Sequence, residues 1–150
     1  SLIKFYKEKD QLFYSYDFKN HSLIHVDAIS NYFILFANLE NKKINDNIIK
    51  KLKKYNSGKE FFFTTVNPKD PSFEEKRYWR GPVWINSNWI IYQGLKDKDK
   101  DFAKVLKNKT LELLEKKKFH EYYNYINGET LGANNFSWSA ALYLDLKLNN

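Results

Sequence analysis

The chain has 150 residues, enough for one domain with a buried core, and 43% of them are hydrophobic, which excludes an intrinsically disordered segment. It contains no cysteine, so neither a disulfide framework nor a thiolate metal site is available. The net charge of +7 comes from lysines scattered among acids, and the only arginines are Arg77 and Arg80, so a phosphate-reading face and a nucleic-acid partner are not expected.

No apolar run approaches the roughly 20 residues needed to cross a bilayer, so no membrane role is expected. The chain opens on Ser1-Leu2-Ile3 without Met, as a processed product or a piece of a longer protein would. The lack of cysteine fits a reducing, cytoplasmic compartment.

The lead-in contains FYSYDFKNHSL, which alternates aromatic and polar residues and predicts an extended, turn-rich start. From Asp27, a candidate N-cap, Ile29, Phe33 and Phe36 fall at helical spacing. A second helix is predicted in INDNIIKKLKKY, with Ile44, Ile48 and Leu52 on one face and Asn56-Ser57-Gly58 at its end. Residues 59–82 read as a long loop in which FFFTTV is a candidate short strand and NPKDPS excludes a regular element.

Pro82 suits the first position of a helix running through VWINSNWIIYQGL to a stop near Gly94. Asp97, Asp99 or Asp101 then caps DFAKVLKNKTLELLEKK, whose apolar side is expected to hold Phe102, Val105, Leu106 and Leu113. A loop through HEYYNYINGETLGANN leads to a last helix, SWSAALYLDLKL, with Ser137 as its N-cap. The expected class is all-α, with function carried on the longer loops.

Two stretches hold the residues able to do chemistry. Trp79 and Arg80 precede the predicted helix, Trp84 follows them, and Asn86 and Asn88 interrupt its apolar run. A flat aromatic wall beside Arg and Asn donors suits a sugar, which offers an apolar C–H face and a rim of hydroxyls. In FHEYYNYINGETLGANNFSW, Glu121 lies among His120, Tyr122 and Tyr123, an environment able to tune a general base. Glu129 follows between Gly128 and Thr130, and Trp138 opens the last helix as a further aromatic face. His21, His25 and His120 have no metal-ligand spacing, and no phosphate-binding glycine loop is present, so neither metal nor cofactor is expected.

YWRGPVWINSNWIIYQGL, HEYYNYINGETLG and NNFSWSAALYLDL occur in that order and together resemble the C-terminal part of glycoside hydrolase family 63. That group takes in bacterial mannosylglycerate and glucosylglycerate hydrolases, with trehalases and processing α-glucosidase I as wider relatives. The resemblance covers essentially the whole chain. It implies a six-hairpin (α/α)6 toroid of which residues 1–150 are the C-terminal portion, and hydrolysis with inversion at the anomeric carbon. It also implies that Glu121, in HEYY, is the general base, with Glu129 as second choice. Tyr78, Trp79, Arg80 and Trp84 fall on the substrate-contacting YWRGPVW motif, and Trp138 falls on the FSW aromatic. Asn88 and Tyr123 complete the expected sugar contacts.

The family's acid motif has no counterpart here. The general acid is therefore expected in an N-terminal portion outside this chain or on a complementing chain, and the 150 residues alone are not expected to turn over substrate. The competing readings are a non-catalytic carbohydrate-binding or scaffold module, and a helical interaction domain with a basic face.

Overall fold

In a computed structural model, the described residues are 2–37, 39–55 and 61–148. Among them, four helices carry the fold: α1 (Lys42–Tyr55), α2 (Ile85–Leu95), α3 (Lys100–Lys117) and α4 (Ser137–Leu148). Short 3₁₀ turns occupy Leu2–Phe5, Ile29–Leu35 and Tyr78–Arg80. Three antiparallel hairpins supplement the helices: β1 (Tyr6–Lys7) with β2 (Leu12–Phe13), β3 (Ser15–Asp17) with β4 (Ser22–Ile24), and β5 (His120–Tyr123) with β6 (Thr130–Asn134). The chain is mainly helical, as expected, and the turn-rich lead-in resolves into the first two hairpins. No helix among the described residues is long and apolar enough to cross a membrane.

The helix predicted after Asp27 is a 3₁₀ segment instead. Its buried apolar side chains are Ile29, Tyr32 and Leu35, three apart as a 3₁₀ turn requires, while Phe36 is exposed. Asp27 is not its cap, because Ala28 holds that position without a side-chain bond. The Asp27 carboxylate accepts from the Tyr32 hydroxyl and from the Asn67 amide, which ties the segment to the 61–82 stretch. Burial, with Asp27 alongside, pushes the Tyr32 phenol well above its ordinary range.

α1 matches its pattern, with Ile44, Ile48 and Leu52 buried and its lysines outward. The Asn56-Ser57-Gly58 stop lies outside the described residues. Leu35, Ile48, Leu52, Phe63, Ile91 and Leu106 share one core and are fully excluded from solvent. Each such side chain contributes about 1.5–3 kcal/mol of burial. A smaller core of Val83, Ile85, Leu113, Leu114 and Tyr123 lies under the β5–β6 hairpin.

Several boundaries move for identifiable reasons. Pro82 does not begin α2, which is capped by Trp84. The Pro82 carbonyl accepts from the Thr65 amide, and Val83 pairs across to Thr64 and Tyr123. Extended backbone is therefore needed where the helix was expected to start. FFFTTV forms isolated bridges rather than a strand, through Thr64 and Val66.

Asp99 caps α3 by accepting from the Phe102 amide, and a hydrogen bond from Lys53 holds its carboxyl below the usual range. Leu106 and Leu113 are buried as expected, but Val105 faces solvent and Leu114 takes its place in the core. Ser137 is the first residue of α4 rather than its cap, since the Phe136 carbonyl already accepts from Ala140.

α2 ends at Leu95, beside Gly94 as expected, and Gly94 itself lets α2 cross the Ile29–Leu35 turn. A Cβ there would lie 2.7 Å from the Phe36 amide nitrogen and 2.8 Å from the Leu35 carbonyl carbon, both backbone atoms that cannot yield easily. Gly94→Ala is expected to destabilise the fold by about 1–3 kcal/mol despite its better helix propensity. A urea titration followed by circular dichroism measures this, and an unchanged midpoint would refute the close crossing.

Candidate active site

The site is assembled by a backbone junction. Val83 and Tyr123 exchange both hydrogen bonds, 2.8 Å from the Val83 amide and 2.9 Å from the Tyr123 amide. The YWRGPVW segment thereby lies against strand β5, and Tyr78 meets Glu121 and Tyr122.

Those aromatics form a layered wall. Trp79 stacks on Trp84 at 3.8 Å between centroids and 14° between planes, and Tyr122 stacks on Trp84 at 5.0 Å and 15°. Tyr78 meets Trp84 edge-on at 4.9 Å and Tyr122 at 5.4 Å. Trp84 is buried as the central plate, while Trp79 and Tyr78 are half exposed. The Trp84 indole N–H is satisfied by the Tyr78 carbonyl at 3.0 Å, so the plate cannot rotate without losing that bond.

Glu121 sits beside this wall. Its Oε1 accepts from the Tyr78 hydroxyl at 3.0 Å and its Oε2 from the Ala133 amide at 3.1 Å. The hydrogen bond to Glu121 pushes the Tyr78 phenol above its ordinary value. The stretch expected to be a loop is the β5–β6 hairpin, and its register slips at Glu121: His120 pairs Asn134 while Tyr122 pairs Leu131. Gly132 and Ala133 thus oppose the single residue Glu121, a bulge that aims the carboxylate across the partner strand. Gly132 adopts φ +72°, and a Cβ on it would lie 2.5 Å from Oε2 of Glu121.

Glu129 stands in a different setting. It is at the turn of the hairpin, where its carboxylate pairs with Lys76 at 2.8 Å. Nearby, the Asn124 amide donates to Glu75 at 2.6 Å, a second tie between the 74–80 stretch and the hairpin. Among the described residues, neither lysine nor arginine pairs with Glu121.

Arg80, expected to touch substrate, is held by Glu74 at 3.1 Å and by the Ser72 carbonyl at 3.3 Å. Arg77 takes the same Glu74 carboxylate with contacts of 2.9 and 3.1 Å. Exposed pairs of this kind add little stability, but here they close the loop carrying Tyr78 and Trp79. Gly81 completes the closure, since a Cβ would fall 1.9 Å from the Glu74 carbonyl oxygen.

Two expected contact residues lie in the interior. Asn88 is buried, and its amide donates to the Phe62 carbonyl at 3.3 Å. Tyr123 is fully buried; its hydroxyl donates to the Lys118 carbonyl, accepts from the His120 amide, and is pushed up to about 12 by burial. Trp138 is half exposed, and the ring it meets is Phe136. The neighbouring Ser139 hydroxyl ties α4 to the His120 carbonyl at 2.7 Å. Tyr122 was not singled out as a wall residue, although strand alternation separates it from buried Tyr123. No group of His, Asp and Glu able to hold a metal occurs among the described residues.

A family model described as the mannosylglycerate hydrolase MGH1-like glycoside hydrolase domain matches residues 2–139. The chain belongs to this family. It is similar to a mannosylglycerate hydrolase of Thermus thermophilus, 35% identical over 133 residues, which are 88% of this chain and 32% of that protein. It is also similar to a glucosylglycerate hydrolase of Mycolicibacterium hassiacum, 33% identical over 82 residues, or 54% of this chain and 18% of that one.

Among solved structures, a family 63 mannosylglycerate hydrolase of Thermus thermophilus in complex with Tris and D-glycerate superposes with a TM-score of 0.89 at 32% identity, covering 94% of this chain and 34% of that one. A glucose complex of the same enzyme gives 0.88 at 30% identity, covering 98% and 37%. Neutral trehalase Nth1 of Saccharomyces cerevisiae shares the fold at 0.69 and 19% identity, over 99% of this chain and 28% of that one. The fold is that of the six-hairpin glycosidases, and the chain spans about a third or less of the length of these relatives.

If the bulge aims Glu121 as described, Gly132→Ala displaces its carboxylate, because alanine disfavours φ +72° and its methyl overlaps Oε2. The variant is expected to lose the Ala133 N–H to Glu121 hydrogen bond, seen as faster amide exchange at Ala133 with α1 protection unchanged. Unaltered exchange at Ala133 would contradict the bulge geometry.

Proposed function

We propose that the chain is the C-terminal portion of an (α/α)6 catalytic domain and acts within an inverting glycoside hydrolase. The substrate class is an α-glycoside of the mannosylglycerate or glucosylglycerate type. The observation that carries this reading is Glu121: one carboxylate, free of cationic partners among the described residues, held by two hydrogen-bond donors at the edge of a stacked aromatic wall. Family membership supports it, as do the glycerate and glucose complexes of the T. thermophilus relative.

In this reading the exposed face of Trp79 and the edge of Tyr78 pack against the sugar ring. Arg80 acts by holding the loop closed through Glu74. Glu121 takes a proton from a water that attacks the anomeric carbon. A carboxylic acid on the opposite side of the sugar, its carboxyl roughly 6.5–9.5 Å from that of Glu121 as inversion requires, protonates the leaving oxygen. That acid is assigned to the N-terminal portion of the domain, outside this chain, so the 150 residues alone bind but do not turn over substrate.

In the complete enzyme, Glu121→Gln is expected to lower kcat by about three decades, with substrate affinity largely kept. Glu129→Gln, which breaks a surface ion pair, is expected to stay within a few-fold of the parent. Steady-state kinetics on both variants decides the assignment; the opposite pattern moves the base to Glu129. Calorimetric sugar binding without turnover, even in the complete enzyme, favours a carbohydrate-binding module.

A further inference from the structure

We infer that Tyr78 is a positioning residue that acts through Glu121, rather than a hydrogen-bonding contact to the sugar; this rests on Glu121 being the base. Its hydroxyl is committed to Oε1 of Glu121, and its carbonyl is committed to the Trp84 indole. Together with the Ala133 amide, the hydroxyl gives each carboxylate oxygen one fixed donor. That fixes the plane of the carboxylate and leaves its remaining lone pairs for water.

The backbone at Tyr78 supports this assignment. Tyr78 has φ +27°, a conformation that a bulky aromatic side chain disfavours. It is retained where three rings, Trp79, Trp84 and Tyr122, pack at its edges and both of its polar ends are bonded. Strain kept at one residue, and satisfied by a bond to a carboxylate, is a common mark of a pre-organised site.

The charged groups around the pair are otherwise engaged. Arg77 and Arg80 hold Glu74, Lys76 holds Glu129, and the His120 ring lies over Tyr123. Tyr78 bonds Glu121 through its hydroxyl, and the Tyr122 ring packs on Tyr78.

The test is a double-mutant cycle in the complete enzyme. Tyr78→Phe keeps the ring packing and removes only the hydroxyl, so folding is preserved. It is expected to lower kcat by roughly ten- to a hundredfold, the worth of one hydrogen bond to a charged group, with KM nearly unchanged. Combined with Glu121→Gln, it should cost little more than Glu121→Gln alone, because both changes disable one unit. Additive losses, or a loss confined to KM, would make the Tyr78 hydroxyl a hydrogen-bonding contact to the sugar and overturn the inference.

A second readout is independent of catalysis. In protein labelled at tyrosine Cζ, the Tyr78 signal, assigned by its absence in Tyr78→Phe, should titrate above ordinary tyrosine. In Glu121→Gln it should titrate lower. No difference between the two removes the bond and the inference with it. A difference together with full activity in Glu121→Gln keeps Tyr78 bonded to Glu121 but removes the base assignment.

Discussion

The reciprocal hydrogen bonds between Val83 and Tyr123 are the constraint on which the site depends. They join a segment that would otherwise run straight into a helix to a strand far along the chain. Because Val83 is extended there, α2 begins only at Ile85, and the preceding 3₁₀ turn is left free to present Tyr78 and Trp79. Because Tyr123 is pinned on the other side, its neighbours Tyr122 and Glu121 must lie against that turn. The small core of Val83, Ile85, Leu113, Leu114 and Tyr123 makes the junction costly to open, since parting it exposes apolar side chains and breaks two buried backbone bonds together.

The scarce residues of the chain divide along the same lines. Both arginines converge on Glu74, where their planar forks bridge one carboxylate in a way lysine ammonium groups do not reproduce. Of the tryptophans, Trp79 and Trp84 make the wall, Trp89 donates to Asp145 within the helical layer, and Trp138 stands at the start of α4. Three of the glycines are placed by close approach: Gly94 at a helix crossing, Gly81 at the closed arginine loop, and Gly132 opposite Glu121. Rigid, bulky or minimal side chains thus occur where the backbone path leaves no latitude, and lysine covers the rest of the surface.

How much of this was legible depended on whether the signal was local. α1 and α3 could be read from apolar spacing, and the α3 cap was narrowed to Asp97, Asp99 or Asp101, of which Asp99 takes the place. The Glu121 hairpin could not, because a bulge and a left-handed glycine break the period of two that marks a strand. Pro82 carries a sound local preference for a helix start, and the pairing of the next residue, Val83, with Thr64 and Tyr123 overrides it. Asn88 and Tyr123 had the right chemistry for a sugar site but are turned into the core, which one-dimensional proximity to Trp84 and Glu121 does not reveal. YWRGPVW and HEYY were recognisable as the two halves of one site; the stacking that unites them, through Tyr122, was not.

The proposed site has a sugar against the exposed Trp79 face, beside the Tyr78–Glu121 pair. A titration of ¹⁵N-indole-labelled enzyme with mannosylglycerate, following the tryptophan side-chain signals by NMR, tests this placement. The Trp79 indole is expected to shift strongly and Trp84 less, while Trp89, bonded to Asp145, stays in place. Movement at Trp89 with Trp79 unaffected would put the ligand elsewhere on the molecule and rule this site out.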